Sequence, residues 1–183
     1  MKGIVTKRYG DTVVFDHFAF EIPEGKFTAL TGESGVGKTT LLRILAGVEP
    51  YEGELTLRTP VAFLYQTSVF LERLSLGKNL ELAGIHHARD EAAKLGLADA
   101  FDRPVGSFSG GMKRRASILR AALFPAKLYL LDEPLKELDP ENYDRAALFL
   151  REKLSGKTVL FSTHRESEVA LFDAARVTLE RRG

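Results

Sequence analysis

Short apolar segments alternate with segments of helical periodicity along much of this chain. Buried strands are predicted at four such segments, which are Phe27 to Leu30, Leu128 to Leu131, Thr158 to Ser162 and Val177 to Leu179. Short apolar strands separated by helices are typical of a mostly parallel sheet that is covered on both faces. The pattern therefore predicts an α/β fold in which helices flank the sheet.

Three helices accompany these strands in the pattern. The first ends near Gly47, a glycine typical of a helix C-terminus. The second spans Ala116 to Leu123, where apolar residues recur at helical spacing. The third begins at Asp139 and Pro140, which suit the N-cap and the first helical position, and it runs to about Leu154.

The N-terminal third predicts an antiparallel β subdomain. A first strand begins at Ile4, and Gly10-Asp11 marks a turn. The next strand, Val13 to Ile22, alternates with Phe18 and Phe20 on one face. Two more strands are predicted at Glu54 to Leu57 and at Val61 to Tyr65.

The middle of the chain, from Thr67 to Phe108, lacks a strong strand pattern. Its leucines recur at helix-like spacing from Leu74 to Leu82, and Glu91 to Leu97 repeats that spacing. We therefore expect a small helical subdomain inserted into a single domain. The predicted boundaries are 1–183 for the domain, 67–109 for the helical subdomain, and 1–66 with 110–183 for the core.

Composition narrows the class of protein. With 183 residues, 44% hydrophobic and 28% charged, the chain suits one soluble domain with a real core. A formal net charge of +1 gives no general attraction to nucleic acid or to a membrane. No cysteine is present, which excludes disulfides and thiolate metal sites. The absence of cysteine also fits the cytoplasmic location that we expect. No apolar run approaches the roughly 20 residues that span a bilayer, so any membrane part must come from another polypeptide.

Gly32 to Thr39 fits the phosphate-loop pattern G-x-x-x-x-G-K-[ST] at every fixed position. The predicted strand before it and helix after it argue against a chance glycine-rich turn. Glycines let the backbone turn its N–H groups towards phosphates, and the helix N-terminus favours anions. Lys38 can reach the terminal phosphates, and the Thr39 hydroxyl can hold Mg²⁺. The predicted ATP contacts here are Gly32, Glu33, Ser34, Gly35, Val36, Gly37, Lys38, Thr39 and Thr40.

Further motifs follow the phosphate loop in a fixed order. They are Gln66, Phe108-Ser109-Gly110-Gly111-Met112, Leu128 to Pro134 with the pair Asp132-Glu133, Leu138-Asp139, and Ser162-Thr163-His164. Together these motifs resemble the nucleotide-binding subunit of ABC (ATP-binding cassette) transporters, over nearly the whole chain. The resemblance implies a phosphate-loop NTPase core and a subunit that dimerises around ATP. It also implies that ATP hydrolysis powers solute transport through a separate membrane permease.

The residues that end the predicted strands carry the expected chemistry. Asp132 can bind Mg²⁺ directly or through water. Side chains alternate along a strand, so Glu133 can face an attacking water, and by resemblance it is the catalytic base. By resemblance His164 touches the γ-phosphate. The amide oxygen of Gln66 can bind the Mg²⁺ sphere or the water, and the alternative is a polar strand terminus. The implied catalytic set is Glu133, His164, Lys38 and Gln66, and the implied metal set is Thr39, Gln66 and Asp132.

Two further contacts with ATP rest on the resemblance. Tyr9 is implied to stack on the adenine ring, and the alternative is an aromatic residue packed at the core edge. The segment Ser109-Gly110-Gly111 is implied to hold the γ-phosphate of the nucleotide bound to a partner chain. The implied assembly is a head-to-tail pair with two ATP molecules in the interface and with Asp139 near the contact between the sites.

The basic run Lys113-Arg114-Arg115 could suggest nucleic acid. The resemblance instead implies structural or partner-facing roles for Arg115 and Arg120, and we expect the other basic side chains to be solvated. Met112 replaces a common glutamine, as in importers of the nitrate, sulfonate and taurine type. Leu135-Lys136-Glu137 departs from the small and hydroxyl residues usual between the proline and the leucine.

Partners follow from the resemblance as well. We expect permease subunits, a second ABC subunit in a homodimer, a solute-binding protein and no nucleic acid, with the chain peripheral on the inner face of the membrane. Thr67 to Leu82 is the candidate docking surface, where Phe70, Leu71 and Leu74 either meet the permease or form helix core. Import is favoured over export.

Two other functions compete with transport. A non-transport ABC ATPase could act as an ATP-gated clamp on nucleic acid or a soluble partner. Such relatives usually carry tandem cassettes, long arms or linkers that this chain lacks. A degenerate nucleotide-binding regulator is disfavoured because Lys38, Asp132, Glu133 and His164 are all present.

Overall fold

The strands follow one another along the chain in the order that the apolar pattern predicts, whereas the helix Glu166–Leu171 was not predicted. The computed structural model describes residues 1–56 and 60–180. Its strands are β1 (Lys2–Tyr9), β2 (Thr12–Glu21), β3 (Phe27–Thr31), β4 (Glu52–Leu55), β5 (Val61–Leu64), β6 (Leu128–Asp132), β7 (Thr158–Ser162) and β8 (Ala175–Thr178). Its α-helices are α1 (Lys38–Leu45), α2 (Leu76–Leu82), α3 (Arg89–Lys94), α4 (Gly110–Leu123), α5 (Pro140–Lys153) and α6 (Glu166–Leu171). Leu57, the predicted end of a strand, lies outside the described residues.

Two compact units make up the chain. The first consists of Met1–Phe63, Ala126–Glu133 and Gly156–Gly183, and the second consists of Leu64–Pro125 and Pro134–Ser155. These units differ from the expected division, because α4 and α5 belong with the helical middle segment rather than with the strands. The functional boundaries at 67–109 stay a prediction.

An antiparallel sheet in the order β2-β1-β4 forms one part of the first unit. Phe15 and Phe20 are buried on one face of β2, and Phe18 stacks between them at ring-centroid distances of 5.5 and 5.9 Å. The predicted alternation of this strand is interrupted at His17, whose φ is 48°, where the pairing with β1 shifts register. A bulge of this kind inserts one residue and lets Phe15 return to the core face.

A five-stranded sheet in the order β5-β6-β7-β3-β8 forms the other part. The pairings β6–β7, β3–β7 and β3–β8 are parallel. Every residue of β6 and β7 is buried, and α1 packs against both strands. The predicted α/β fold is confirmed. Because parallel strands end at the same edge, the segments that follow β3, β6 and β7 come together.

Helices dominate the second unit, where α4 packs against α3 and α5. Asp139 caps α5 and Pro140 begins it, as predicted. Helix-like spacing was expected from Leu74 to Leu82, but residues 67–75 are not helical and α2 begins only at Leu76. The buried Asn79 side chain explains the difference, since it accepts from Leu71 N at 2.9 Å and donates to Leu74 O at 3.3 Å. None of the helices in the described part of the chain is long and apolar enough to cross a membrane.

Candidate functional site

The phosphate loop joins β3 to α1 and has a backbone that only glycine suits. Gly32, Gly35 and Gly37 have φ values of 141°, 78° and 110°. A Cβ on Gly32 would lie 2.4 Å from the carbonyl oxygen of Leu179, and one on Gly37 would lie 2.7 Å from Cγ1 of Val14. The loop therefore needs all three glycines for their torsion angles, and it needs Gly32 and Gly37 for space as well.

Lys38 is the first residue of α1, and its ammonium group lies inside the loop. Nζ donates to the carbonyl oxygens of Gly32 and Glu33, each at 2.8 Å. Burial lowers the pKa of Lys38 from its ordinary value, and the charges of Glu133 and Asp132 oppose that shift. The lysine is thus held at the loop by carbonyl groups, near two carboxylates that favour its charged form.

A hydrogen-bonded network joins the ends of β6 and β7 to the start of α1. Thr39 Oγ1 donates to Asp132 Oδ2 at 2.8 Å, and Ser162 Oγ donates to Asp132 Oδ1 at 2.7 Å. Ser162 Oγ also accepts from the backbone N–H of Glu133 at 2.9 Å. Asp132 is buried, and Ser162 has no exposed surface. Ser162 ends an apolar run that predicts a buried strand, and no local pattern indicates this further role.

Glu133 lies just beyond β6 in a left-handed backbone conformation, with φ of 47°. The alternation argument made from the sequence is therefore wrong here, because a turn rather than the strand pleat directs this side chain. Its Oε1 lies 3.3 Å from Nε2 of His164, which is the residue expected to touch the γ-phosphate. The structure thus brings Lys38, Thr39 and these two residues together with Asp132.

A buried carboxylate supports the segment that carries His164. Glu168 is buried, and its Oε2 accepts from Thr163 Oγ1 at 2.6 Å. Thr163 Oγ1 accepts in turn from the backbone N–H of Arg165 at 3.0 Å. The residues on both sides of His164 are therefore fixed, by a glutamate that sequence reasoning did not single out.

Tyr9 ends β1 and is 47% exposed, unlike an aromatic residue packed in the core. The ammonium of the buried Lys7 lies 4.6 Å from the centroid of its ring. Lys7 is held by Glu49 at 2.7 Å and by the carbonyl of Pro50 at 2.8 Å. Hydrogen bonds from Lys7 and then Tyr9 lower the pKa of Glu49. The contact with Lys7 thus holds one face of the Tyr9 ring, while much of the ring stays accessible to solvent.

The remaining predicted site residues belong to the second unit. Gln66 is exposed and follows β5. Ser109 caps α4 and accepts from Met112 N at 3.3 Å, with Gly110 as the first helical residue. Asp139 accepts from Asn142 N at 3.0 Å, and this backbone hydrogen bond, followed by one from the Asn142 side chain, lowers its pKa.

Arg114 contradicts the expectation of a solvated side chain. It is only 7% exposed, and its guanidinium donates to the carbonyls of Pro134 at 3.0 Å and Tyr65 at 2.8 Å. Arg115 donates to the Leu95 carbonyl at 2.6 Å, which fits its expected structural role. A run of basic residues on a short segment could not reveal which of its members turns inwards.

The donor set of the first unit fits a nucleotide with a divalent cation. Hydroxyl and carboxylate oxygens, as on Thr39 and Asp132, are the ligands that Mg²⁺ prefers. The ammonium of Lys38 and the glycine loop at a helix N-terminus suit the phosphates.

Comparison with known proteins shows which family the chain belongs to. Residues 15–136 match the family described as ABC transporter. The chain belongs to the ABC transporter family. This membership confirms the expected class of ABC-type ATPase and the phosphate-loop fold. A solved structure described as the ATP-binding subunit of an ABC transporter superposes with a TM-score of 0.86 and 25% identity, covering 98% of this chain and 85% of that one.

Relatives named for different solutes match this ABC chain about equally well. It is 35% identical to the aliphatic sulfonates import ATP-binding protein SsuB 1 of Mesorhizobium japonicum, over 96% of this chain and 76% of the relative. It is 33% identical to the Fe(3+) ions import ATP-binding protein FbpC of Escherichia coli K12, over 90% of this chain. It is 34% identical to the spermidine/putrescine import ATP-binding protein PotA of Pseudomonas aeruginosa, over 98% of this chain. The chain spans about half the length of these last two relatives, 54% and 56%.

Proposed function

We propose that this chain binds and hydrolyses ATP and powers the import of a solute through a separate membrane permease. The observation that carries the proposal is the cluster at the ends of β3, β6 and β7. There Lys38 lies inside the phosphate loop, Thr39 contacts Asp132, and Glu133 lies beside His164. A nucleotide-binding module without hydrolysis would not require the last pair.

Each residue has a distinct part in the proposed reaction. Lys38 neutralises charge on the terminal phosphates. Glu133 accepts a proton from the attacking water. His164 donates one hydrogen bond from Nε2, either to Glu133 or to the γ-phosphate, and so orients the group that it contacts. The exposed amide of Gln66 helps to place the water.

Mg²⁺ would be held by Thr39 and Asp132, with Gln66 as a further oxygen donor, and it supplies charge neutralisation at the phosphate oxygens. The contact between Thr39 and Asp132 at 2.8 Å supports this assignment, because it brings two suitable oxygens to one point. Tyr9 stacks on the adenine ring, a contact that tolerates different bases.

A second copy of the chain completes the site in this proposal. The backbone N–H groups at Ser109, Gly110 and Gly111 open α4, a 14-residue helix whose N-terminus attracts anions. They bind the γ-phosphate of the nucleotide held by the partner, in a head-to-tail homodimer. Asp139 lies near the contact between the two sites.

The permease docks on the surface from Thr67 to Leu82. Val69, Leu71 and Leu82 are 59%, 58% and 61% exposed, which supports an apolar contact there. Phe70 is half-buried, and the Arg120 guanidinium lies 4.5 Å from its ring centroid, so it supports the surface from within. The chain then works at the inner face of the membrane, together with a solute-binding protein and without nucleic acid.

We place the solute among small oxyanions of the nitrate, sulfonate and taurine type. Met112 is the observation that supports this choice, because the relatives named for different solutes match the chain about equally well and do not select one. Uptake of a labelled alkanesulfonate by cells with and without the chain tests it. Uptake that does not depend on the chain would reject this class of solute.

The experiment that tests the proposed function is a pull-down from native membranes. Tagged Glu133→Gln with ATP and Mg²⁺ should hold the closed state and retain a multi-span membrane protein. A matched bait with the added change Leu71→Asp should lose it. If a folded, ATP-binding bait recovers only soluble partners or nucleic acid, the transport function is rejected in favour of an ATP-gated clamp.

A further inference from the structure

Ser162 is a fully buried hydroxyl at a position that joins two functional carboxylates. It ends β7 opposite Asp132, the last residue of the neighbouring parallel strand β6. A buried hydroxyl needs hydrogen-bond partners, and its single proton can go to only one acceptor. That proton goes to Asp132 Oδ1, while the oxygen accepts the backbone N–H of Glu133.

The first of these bonds fixes the orientation of Asp132. Its two oxygens take different donors, Thr39 at 2.8 Å and Ser162 at 2.7 Å. Hydrogen bonds to an ionised carboxylate are short and strong, and together they hold the plane of the group. Without Ser162 the carboxylate would turn more freely about its bond to Cβ, and the oxygen beside Thr39 would lose its fixed position.

The second bond fixes the backbone of Glu133. A φ of 47° is uncommon for a residue with a side chain and persists only where surrounding contacts hold it. The N–H of this strained residue is bound by Ser162, and its carboxylate then lies 3.3 Å from His164. The direction of the glutamate therefore depends on a hydroxyl one strand away.

We propose that Ser162 is a positioning residue for ATP hydrolysis, which aligns Asp132 with Thr39 and Glu133 with His164 through one hydroxyl group. The proposal rests on the proposed function, since it assigns a further residue to the same site. If the hydroxyl served packing alone, its removal would change stability without changing the reaction.

The test compares two hydroxyl deletions on β7. Ser162→Ala removes the hydroxyl at the carboxyl end of the strand. Thr158→Val removes one at the amino end, where Thr158 Oγ1 accepts from the backbone N–H of Gly25 at 3.0 Å. Both variants lose a buried acceptor for a backbone N–H, so both should lower the melting temperature. Only the first touches the site.

We expect Ser162→Ala to lower kcat for ATP hydrolysis by about 10- to 100-fold with little change in KM. Calorimetry should show weaker binding of ADP in excess Mg²⁺ and unchanged binding of ADP in EDTA. Thr158→Val should match wild type in kcat, in KM and in both ADP affinities. A kcat of Ser162→Ala within twofold of that of Thr158→Val, with equal Mg²⁺-dependent affinities, would overturn the proposal.

The same measurements separate this proposal from the proposed function. A folded wild-type chain, paired with its permease, that hydrolyses no ATP would reject the proposed function. The Mg²⁺-dependent difference in ADP affinity then decides on Ser162 by itself. If the difference is present, the role at Asp132 holds, and if it is absent, Ser162 is a packing residue.

Discussion

Two glycine-rich segments of this chain have glycine for opposite reasons. In the phosphate loop, Gly32 and Gly37 have left-handed φ values, and a Cβ would come within 2.4 and 2.7 Å of another atom. At the start of α4, neither Gly110 nor Gly111 has a left-handed φ. A Cβ on either would meet no atom of the described residues within 4 Å.

The difference indicates which segment is shaped by contacts within its own chain and which is not. Glycine is a poorer helix former than alanine, and no contact in the described part of this chain requires it at the first two positions of α4. The phosphate loop is shaped by its own unit, whereas the start of α4 leaves room for something outside the chain. In the proposed head-to-tail pair, a phosphate carried by a second copy would take that room.

The largest effects on ATP hydrolysis should come from the residues around the phosphate loop in the first unit. Lys38→Ala and Glu133→Gln should each lower steady-state ATP hydrolysis by about 10²- to 10⁴-fold, because one removes charge neutralisation and the other the base. Nucleotide affinity should fall in Lys38→Ala and persist in Glu133→Gln. Glu52→Gln, an exposed carboxylate on β4, serves as the control. Wild-type turnover in Glu133→Gln would refute its role as the base.

Replacing one glycine of each segment by alanine tests the comparison between the phosphate loop and the start of α4. Gly37→Ala should lower both the melting temperature and the affinity for ATP, since its φ of 110° and the nearby Val14 exclude a Cβ. Gly110→Ala should fold at least as stably as wild type and bind ATP normally, yet lose about tenfold or more in hydrolysis. Equal losses of stability in the two variants would remove the basis of the comparison.

A third change separates hydrolysis from transport. Leu71→Asp should abolish solute uptake and leave hydrolysis by the isolated chain unchanged, because Leu71 is 58% exposed and outside the nucleotide cluster. Leu148→Asp is the matched control, since Leu148 is 60% exposed on α5 of the same unit. Normal uptake by Leu71→Asp, with a normal melting temperature, would move the docking surface elsewhere.

The smallest effect is expected at Tyr9. Tyr9→Ala should weaken ATP binding by about 1 kcal/mol, a roughly fivefold rise in KM, because the ring is partly exposed and stacking on an aromatic face is worth about 1–3 kcal/mol. Tyr9→Phe should keep wild-type affinity, since it keeps the ring. Unchanged affinity in the alanine variant would favour a purely structural tyrosine.

Sequence patterns predicted those parts of the fold that depend on local chemistry. The bounds of β7, the cap at Asp139 and the glycines of the phosphate loop follow from apolar runs, side-chain caps and a fixed motif. Family membership is confirmed, while the roles assigned to single site residues stay predictions. The bulge at His17 could not be predicted, because alternation gives no sign of one extra residue.

What sequence patterns missed depends on contacts between distant segments. The side chain of Asn79 binds the backbone of Leu71 and so holds that segment in a non-helical conformation. Arg114 turns inwards to the carbonyl of Pro134, 20 residues away. The link from Ser162 to Asp132 spans 30 residues. Such contacts form only through tertiary packing within each unit, and no local pattern encodes them.

Mixing two inactive variants tests most directly the claim that each site is shared between two chains. Lys38→Ala keeps the start of α4, and Gly110→Asp keeps the phosphate loop, so a mixed dimer has one intact site. We predict that each variant alone is inactive and that an equimolar mixture recovers about one quarter of wild-type hydrolysis, as expected for random pairing in a symmetric dimer. If two folded variants that pair with each other recover no activity, the site lies within one chain and the account is wrong.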